Sequence, residues 1–91
     1  MTPVGESSQD PFSRQDKLER MKSAEAYGEK AYDDLYEKAH SPSDARMYYS
    51  DAKEGFYDAI KYARELGLED DVNRLEARLA HIKAVFRSQF T

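Results

Sequence analysis

Apolar residues return every three or four positions along most of this chain. In the first run Leu18, Met21, Ala24, Gly28, Ala31, Leu35 and Ala39 fall on one face of a 3.6-residue helix, with Tyr27, Tyr32 and Tyr36 widening or flanking it. Ser13, with Asp16 three residues on, resembles a capping box in which Asp replaces the usual Glu or Gln. The spacing predicts a helix over 14–39. Gly28 lies inside it, where glycine costs up to about 1 kcal/mol relative to alanine, and a close helix crossing is the expected compensation.

A second run, Ala45, Tyr49, Ala52, Phe56, Ala59, Ala63 and Leu66, predicts a helix over 43–66. Before it stands His40-Ser41-Pro42-Ser43-Asp44: Ser41 can accept from free backbone N–H groups, Pro42 suits the first helical position, and Asp44 favours the positive end. Gly67 is the expected left-handed C-terminal cap. The stripe mixes small residues with rings, so Phe56 is expected as a buried wedge between the narrow positions Ala52, Ala59 and Ala63.

The third run, Val72, Leu75, Leu79, Ile82 and Phe86 with Val85 beside it, predicts a helix over 70–88. Glu69, Asp70 and Asp71 are expected to supply its cap and its N-terminal negative charge, and Leu68 to turn back onto the core. Connections this short require antiparallel neighbours, so the expected fold is all-α: an antiparallel three-helix bundle over residues 13–91. Residues 1–12, with Pro3, Gly5, Ser7, Ser8 and Pro11 and no periodicity, are expected as a flexible tail.

Composition narrows the chemistry. Ninety-one residues suit one core, and 40% hydrophobic with 35% charged residues fits a soluble helical domain. Cysteine is absent, which removes disulfides, thiolate metal sites and a cysteine nucleophile. No apolar run is long enough to span a membrane and the first twelve residues lack the pattern of a secretory signal, so the expected location is cytoplasmic, with no membrane partner. The net charge of -4 is uneven: residues 1–71 hold ten Lys and Arg against seventeen Asp and Glu, residues 72–91 four against one. Internal complementarity between helices is the favoured reading, and a basic docking face on the last helix the other.

Candidate chemistry is sparse. Glu37 and His40 have the Glu-x-x-His spacing of dimetal bundles, but only one copy occurs and His40 sits at a helix end, so no metal site is expected. His81 has no nucleophile with a supporting acid beside it, and the pairs Asp33–Asp34 and Asp70–Asp71 are consecutive, so their side chains diverge. There is no phosphate loop or zinc-finger spacing. The chain is therefore expected to be neither an enzyme nor a cofactor carrier. Arg74, Arg78, His81 and Arg87 could form a basic strip, but the acidic body disfavours phosphate binding, which leaves nucleic acid as an alternative partner only.

Seven tyrosines without a tryptophan are too many for one seam. Some belong at the core boundary with their hydroxyls in water; others could form a recognition patch or close a homodimer. The expected partner-binding residues are Tyr32 and Tyr36, one turn apart on the first helix, and Tyr57 and Lys61 on the second with Arg74 and Arg78 on the third, these four expected to share one aromatic and basic surface that receives an acidic or amphipathic helical partner.

Ala52, Phe56 and Ala59 in DAKEGFYDAIKYA, with Tyr27-Gly28 and Ala31-Tyr32 upstream, resemble the packing positions of a tetratricopeptide repeat. Residues 14–88 as a whole also look like the three-helix microtubule-interacting-and-trafficking domain, in which a groove involving the later helices binds short helical peptides. Both resemblances imply a partner-binding scaffold. The function expected from the sequence is thus a small helical protein-interaction module that receives another protein or a helical peptide, with a nucleic-acid-binding accessory or a self-associating structural protein as alternatives.

Overall fold

The computed structural model describes residues 13–90, so the tail expected over 1–12 lies outside the described residues. Three helices follow in order: α1 (Arg14–Lys38), α2 (Pro42–Leu66) and α3 (Glu69–Phe90). The boundaries agree with the hydrophobic periodicity to within two residues; the largest difference is at α3, which runs past 88 to Phe90.

Local chemistry explains the ends. The Ser13 hydroxyl accepts from the Asp16 N–H at 3.1 Å, and the Asp16 carboxylate accepts in return from the Ser13 N–H at 3.4 Å. Ser41 caps α2 through the Asp44 N–H at 3.1 Å, while the Asp44 carboxylate reaches back to the His40 N–H at 3.1 Å and closes the turn. Gly67 ends α2 at φ 73°, where an L side chain is disfavoured. Its N–H and that of Leu68 donate to the Arg64 and Ala63 carbonyls, both at 3.0 Å, and Arg14 donates to the Leu66 carbonyl at 2.9 Å. These bonds satisfy carbonyls that a helix end otherwise leaves free. Glu69, Asp70 and Asp71 occupy the first turn of α3 rather than its cap, since the first bond of that helix runs from the Val72 N–H to the Leu68 carbonyl.

The three stripes close on one another. Met21, Phe56, Ala59, Ile60, Ala63, Leu75, Leu79 and Ile82 form the main core, with Leu68 packed against it, and Leu35, Ala45 and Phe86 continue it towards the α1–α2 turn. Phe56 is fully buried between Ala52, Ala59 and Ala63, which are equally inaccessible. No charged or polar residue is buried among the described residues.

Packing is unequal. The α1 and α2 backbones lie closest together, α3 follows α2 at greater separation, and α3 approaches α1 least. Gly28 and Gly55 face each other at the α1–α2 crossing: a β-carbon placed on Gly55 would lie 2.6 Å from the Gly28 nitrogen. The expected crossing at Gly28 is present, and its partner is a second glycine.

Candidate protein-docking surfaces

Two surfaces flank α3. At 100° per residue, Glu25, Glu29, Tyr32 and Tyr36 form a row on α1 that looks towards α3. Arg74 and Arg78, also four residues apart, meet the two acids. Arg74 spans Glu25 at 2.6 and 3.1 Å and touches Asp71 at 3.2 Å; Arg78 makes two bonds to Glu29, both 2.8 Å. Hydrogen bonding to Glu25 and to Glu29 raises the pKa of Arg74 and Arg78 respectively, so the two guanidiniums are held in their charged form. Two of the four cations of the last helix thus meet α1, in paired forks that fix geometry as well as charge.

The seam continues in rings. Arg78 lies 5.2 Å from the centre of the Tyr32 ring, Tyr32 meets Tyr36 edge-on at 5.4 Å, and the Tyr36 hydroxyl donates to Gln89 at 3.0 Å. Tyr36 also meets Phe90 of α3 at 6.0 Å, and behind the seam Tyr49 of α2 stacks on Phe86 at 3.9 Å. Burial, and after it the neighbouring Tyr36, pushes the Tyr32 phenol up to about 12.

The other flank joins α2 and α3. The Lys83 ammonium donates to the Tyr57 hydroxyl at 2.7 Å, Arg64 pairs with Glu76, and Lys61 sits over the ring of Tyr62, 5.2 Å from its centre. Here the structure corrects the sequence reading. Tyr57 and Lys61 share a face with each other but not with Arg74 and Arg78, because α3 stands between them: its Lys83 and Glu76 point to α2, and its two arginines to α1. Tyr32 and Tyr36 join the arginine seam. The six expected residues therefore form two sites on opposite sides of α3, and the two arginines are already bound within the chain.

A third surface was not singled out from the sequence. α3 covers only one side of the α1–α2 hairpin. On the other side Arg20, Ser23, Tyr27, Lys30 and Asp34 of α1 face Tyr48, Asp51, Asp58 and Tyr62 of α2 across an open groove. One stretch of about 430 Å³ is lined by Ala26, Tyr27, Ala31, Tyr48 and Asp51 among others, the next of about 680 Å³ by Asp16, Glu19, Asp58 and Tyr62, and Ser23 borders both. Tyr27 is 51% exposed. Its phenol is raised, first by the charge of Asp51, then by burial and by Glu54. The signal for it in the sequence is a second three-and-four stripe, 20-23-27-30-34 on α1 and 48-51-55-58-62 on α2, but its mixed polarity resembles an ordinary solvated face.

Among the described residues no group of His, Asp and Glu could hold a metal ion, Glu37 and His40 are both exposed, and no helix is long and apolar enough to cross a membrane. Comparison with protein-family models, curated proteins and solved structures finds no match for the chain.

Proposed function

We propose that this chain is a non-catalytic protein-interaction module whose partner is another protein or a helical segment of one. The supporting observation is the side of the α1–α2 hairpin that α3 leaves open: among the described residues it is a groove with a half-exposed tyrosine, Tyr27. Exposed aromatics beside small residues suit the centre of a protein interface, since rings bring large contact area at little conformational cost. The surface first expected, built around Arg74 and Arg78, is less suited, because a partner would have to displace Glu25 and Glu29. The same pairing takes two cations out of the basic strip on which a nucleic-acid reading depends.

The test is photo-crosslinking from a benzoylphenylalanine placed at Tyr27, with the same group at the exposed Ala80 of α3 as the control. Adducts should form from position 27, be competed by excess unmodified chain, and be scarce from position 80. Equal adducts from both positions, or adducts that no excess competes away, would defeat the reading. Adducts of the chain with itself would move the function to self-association.

A further inference from the structure

The uncovered groove carries a definite charge. Along its walls stand Asp16, Glu19, Asp34, Asp51 and Asp58, against Arg20 and Lys30; Glu54 acts on Tyr27 from nearby, and Lys38 reaches Asp34 at 3.7 Å. Lys30 is tied to Asp34 at 3.4 Å and Arg20 is also engaged. Among the described residues neither Asp51 nor Asp58 is ion-paired. This contrasts with the α3 side, where each acid of the α1 row meets an arginine. Among the described residues the two sides of one hairpin thus differ in charge balance, and the unbalanced side is the one α3 leaves open.

Shape and length add to charge. The stretch lined by Tyr27, Tyr48, Ala26 and Ala31 is mainly apolar. From Asp16 to Asp34 the groove follows α1 for about 27 Å at 1.5 Å per residue, the length of a helix of about 18 residues. A groove of that length, apolar along its Tyr27 and Tyr48 stretch and polar and acidic along the stretch of Asp16, Glu19 and Asp58, complements a helix whose apolar face is short and flanked by Lys and Arg.

We propose that the α1–α2 face opposite α3 docks a basic amphipathic helix of a partner protein, its apolar side on Tyr27 and Tyr48 and its cations on Asp51, Asp58 and Glu54. The assignment rests on the reading of the chain as an interaction module and adds the site and the partner's chemistry. Binding of this kind falls as salt is added, because the rim is open to solvent.

The experiment uses the full chain, isotopically labelled, and a synthetic helix of about 18 residues with Leu on one face and Lys on the rest. A second peptide replaces every Lys by Glu. The Lys peptide should shift the amide resonances of Ser23, Tyr27, Asp51 and Asp58 and leave Ala77, Ala80 and Ala84 of α3 unmoved. Asp51→Lys with Asp58→Lys, and separately Tyr27→Ser, should each weaken it by about tenfold or more while circular dichroism stays that of the parent. Weakening by the charge variant alone would mean unspecific attraction and would overturn the groove assignment. Equal or tighter binding of the Glu peptide to the same amides would overturn the basic partner while leaving the module reading intact. Absence of shifts with either peptide would overturn the docking assignment, and the crosslinking from position 27 then decides the module reading by itself. Shifts that grow with protein concentration before any peptide is added would replace the partner by a second copy of the chain.

Discussion

Gly55 is where a single atom has the greatest leverage. An added β-carbon would meet only backbone there: Gly28 nitrogen at 2.6 Å, Gly28 Cα at 2.7 Å and the Ala24 carbonyl oxygen at 2.8 Å. Backbone cannot rotate out of the way, so α1 and α2 would have to separate. At Gly28 the added carbon would meet the Phe56 ring at 2.8 and 2.9 Å and the Ala52 carbonyl oxygen at 3.1 Å, a contact that side-chain adjustment can partly relieve. Helix propensity opposes both penalties by up to about 1 kcal/mol in favour of alanine. Gly55→Ala should therefore cost about 1 to 3 kcal/mol through overpacking, and more than Gly28→Ala. Denaturant midpoints at unchanged slope measure both. A Gly55→Ala variant as stable as the parent would show that the crossing is looser than described.

Among the elements, α3 is the one held to α1 by side-chain tips. Its pairs are partly exposed, 36% on each side chain for Arg78 and Glu29, which limits each to about 0.2 to 1 kcal/mol in a screened setting. Replacing Arg74 and Arg78 together by Ala should thus cost about 0.4 to 2 kcal/mol at low salt and less at high salt. Hydrogen exchange should quicken in α3 while the α1–α2 crossing keeps its protection. For the single pair, Arg78→Glu should be destabilising and Glu29→Arg should restore part of the loss, the coupling being read from a double-mutant cycle. Loss of protection spread evenly over the three helices would contradict an independent α1–α3 clasp.

At the scale of the whole molecule, the raised Tyr32 phenol makes stability depend on alkaline pH. In the unfolded chain the phenol loses its proton near the ordinary value of 10.0, and in the fold near about 12. Between these values the folded state binds more protons than the unfolded one, so stability falls as pH rises. The contribution is complete below about pH 10 and lost on passing about 12. Tyr32→Phe, which cannot ionise, should flatten the decline between those limits, as followed by chemical unfolding at a series of pH values. Tyrosinate absorbance should show that Tyr32 titrates late in the parent. An unchanged slope in the variant would assign the alkaline loss to other groups. Neutralising α3 on one side of the hairpin while the other side keeps unpaired acids also gives the molecule two unlike faces.

How much of this was legible follows from the range of the interactions. The helix limits, the caps at Ser13, Ser41 and Gly67, and the stripe that buries Phe56 depend on residues within about four positions of one another, so they can be read along the chain. The close crossing at Gly28 was legible as a need, but its partner Gly55 was not, because the register between two helices is set by the summed volumes of side chains along both. The grouping of Tyr57 and Lys61 with Arg74 and Arg78 failed for a related reason: neighbours in a list of exposed residues can face opposite ways once a third helix stands between them. Periodicity shows that α1 and α2 each have an apolar face, but which side of their hairpin α3 takes is decided by tertiary contacts. Glu25 and Glu29 have arginines in reach on one side, while Asp51 and Asp58 lie on the other, and that choice left the acidic groove open.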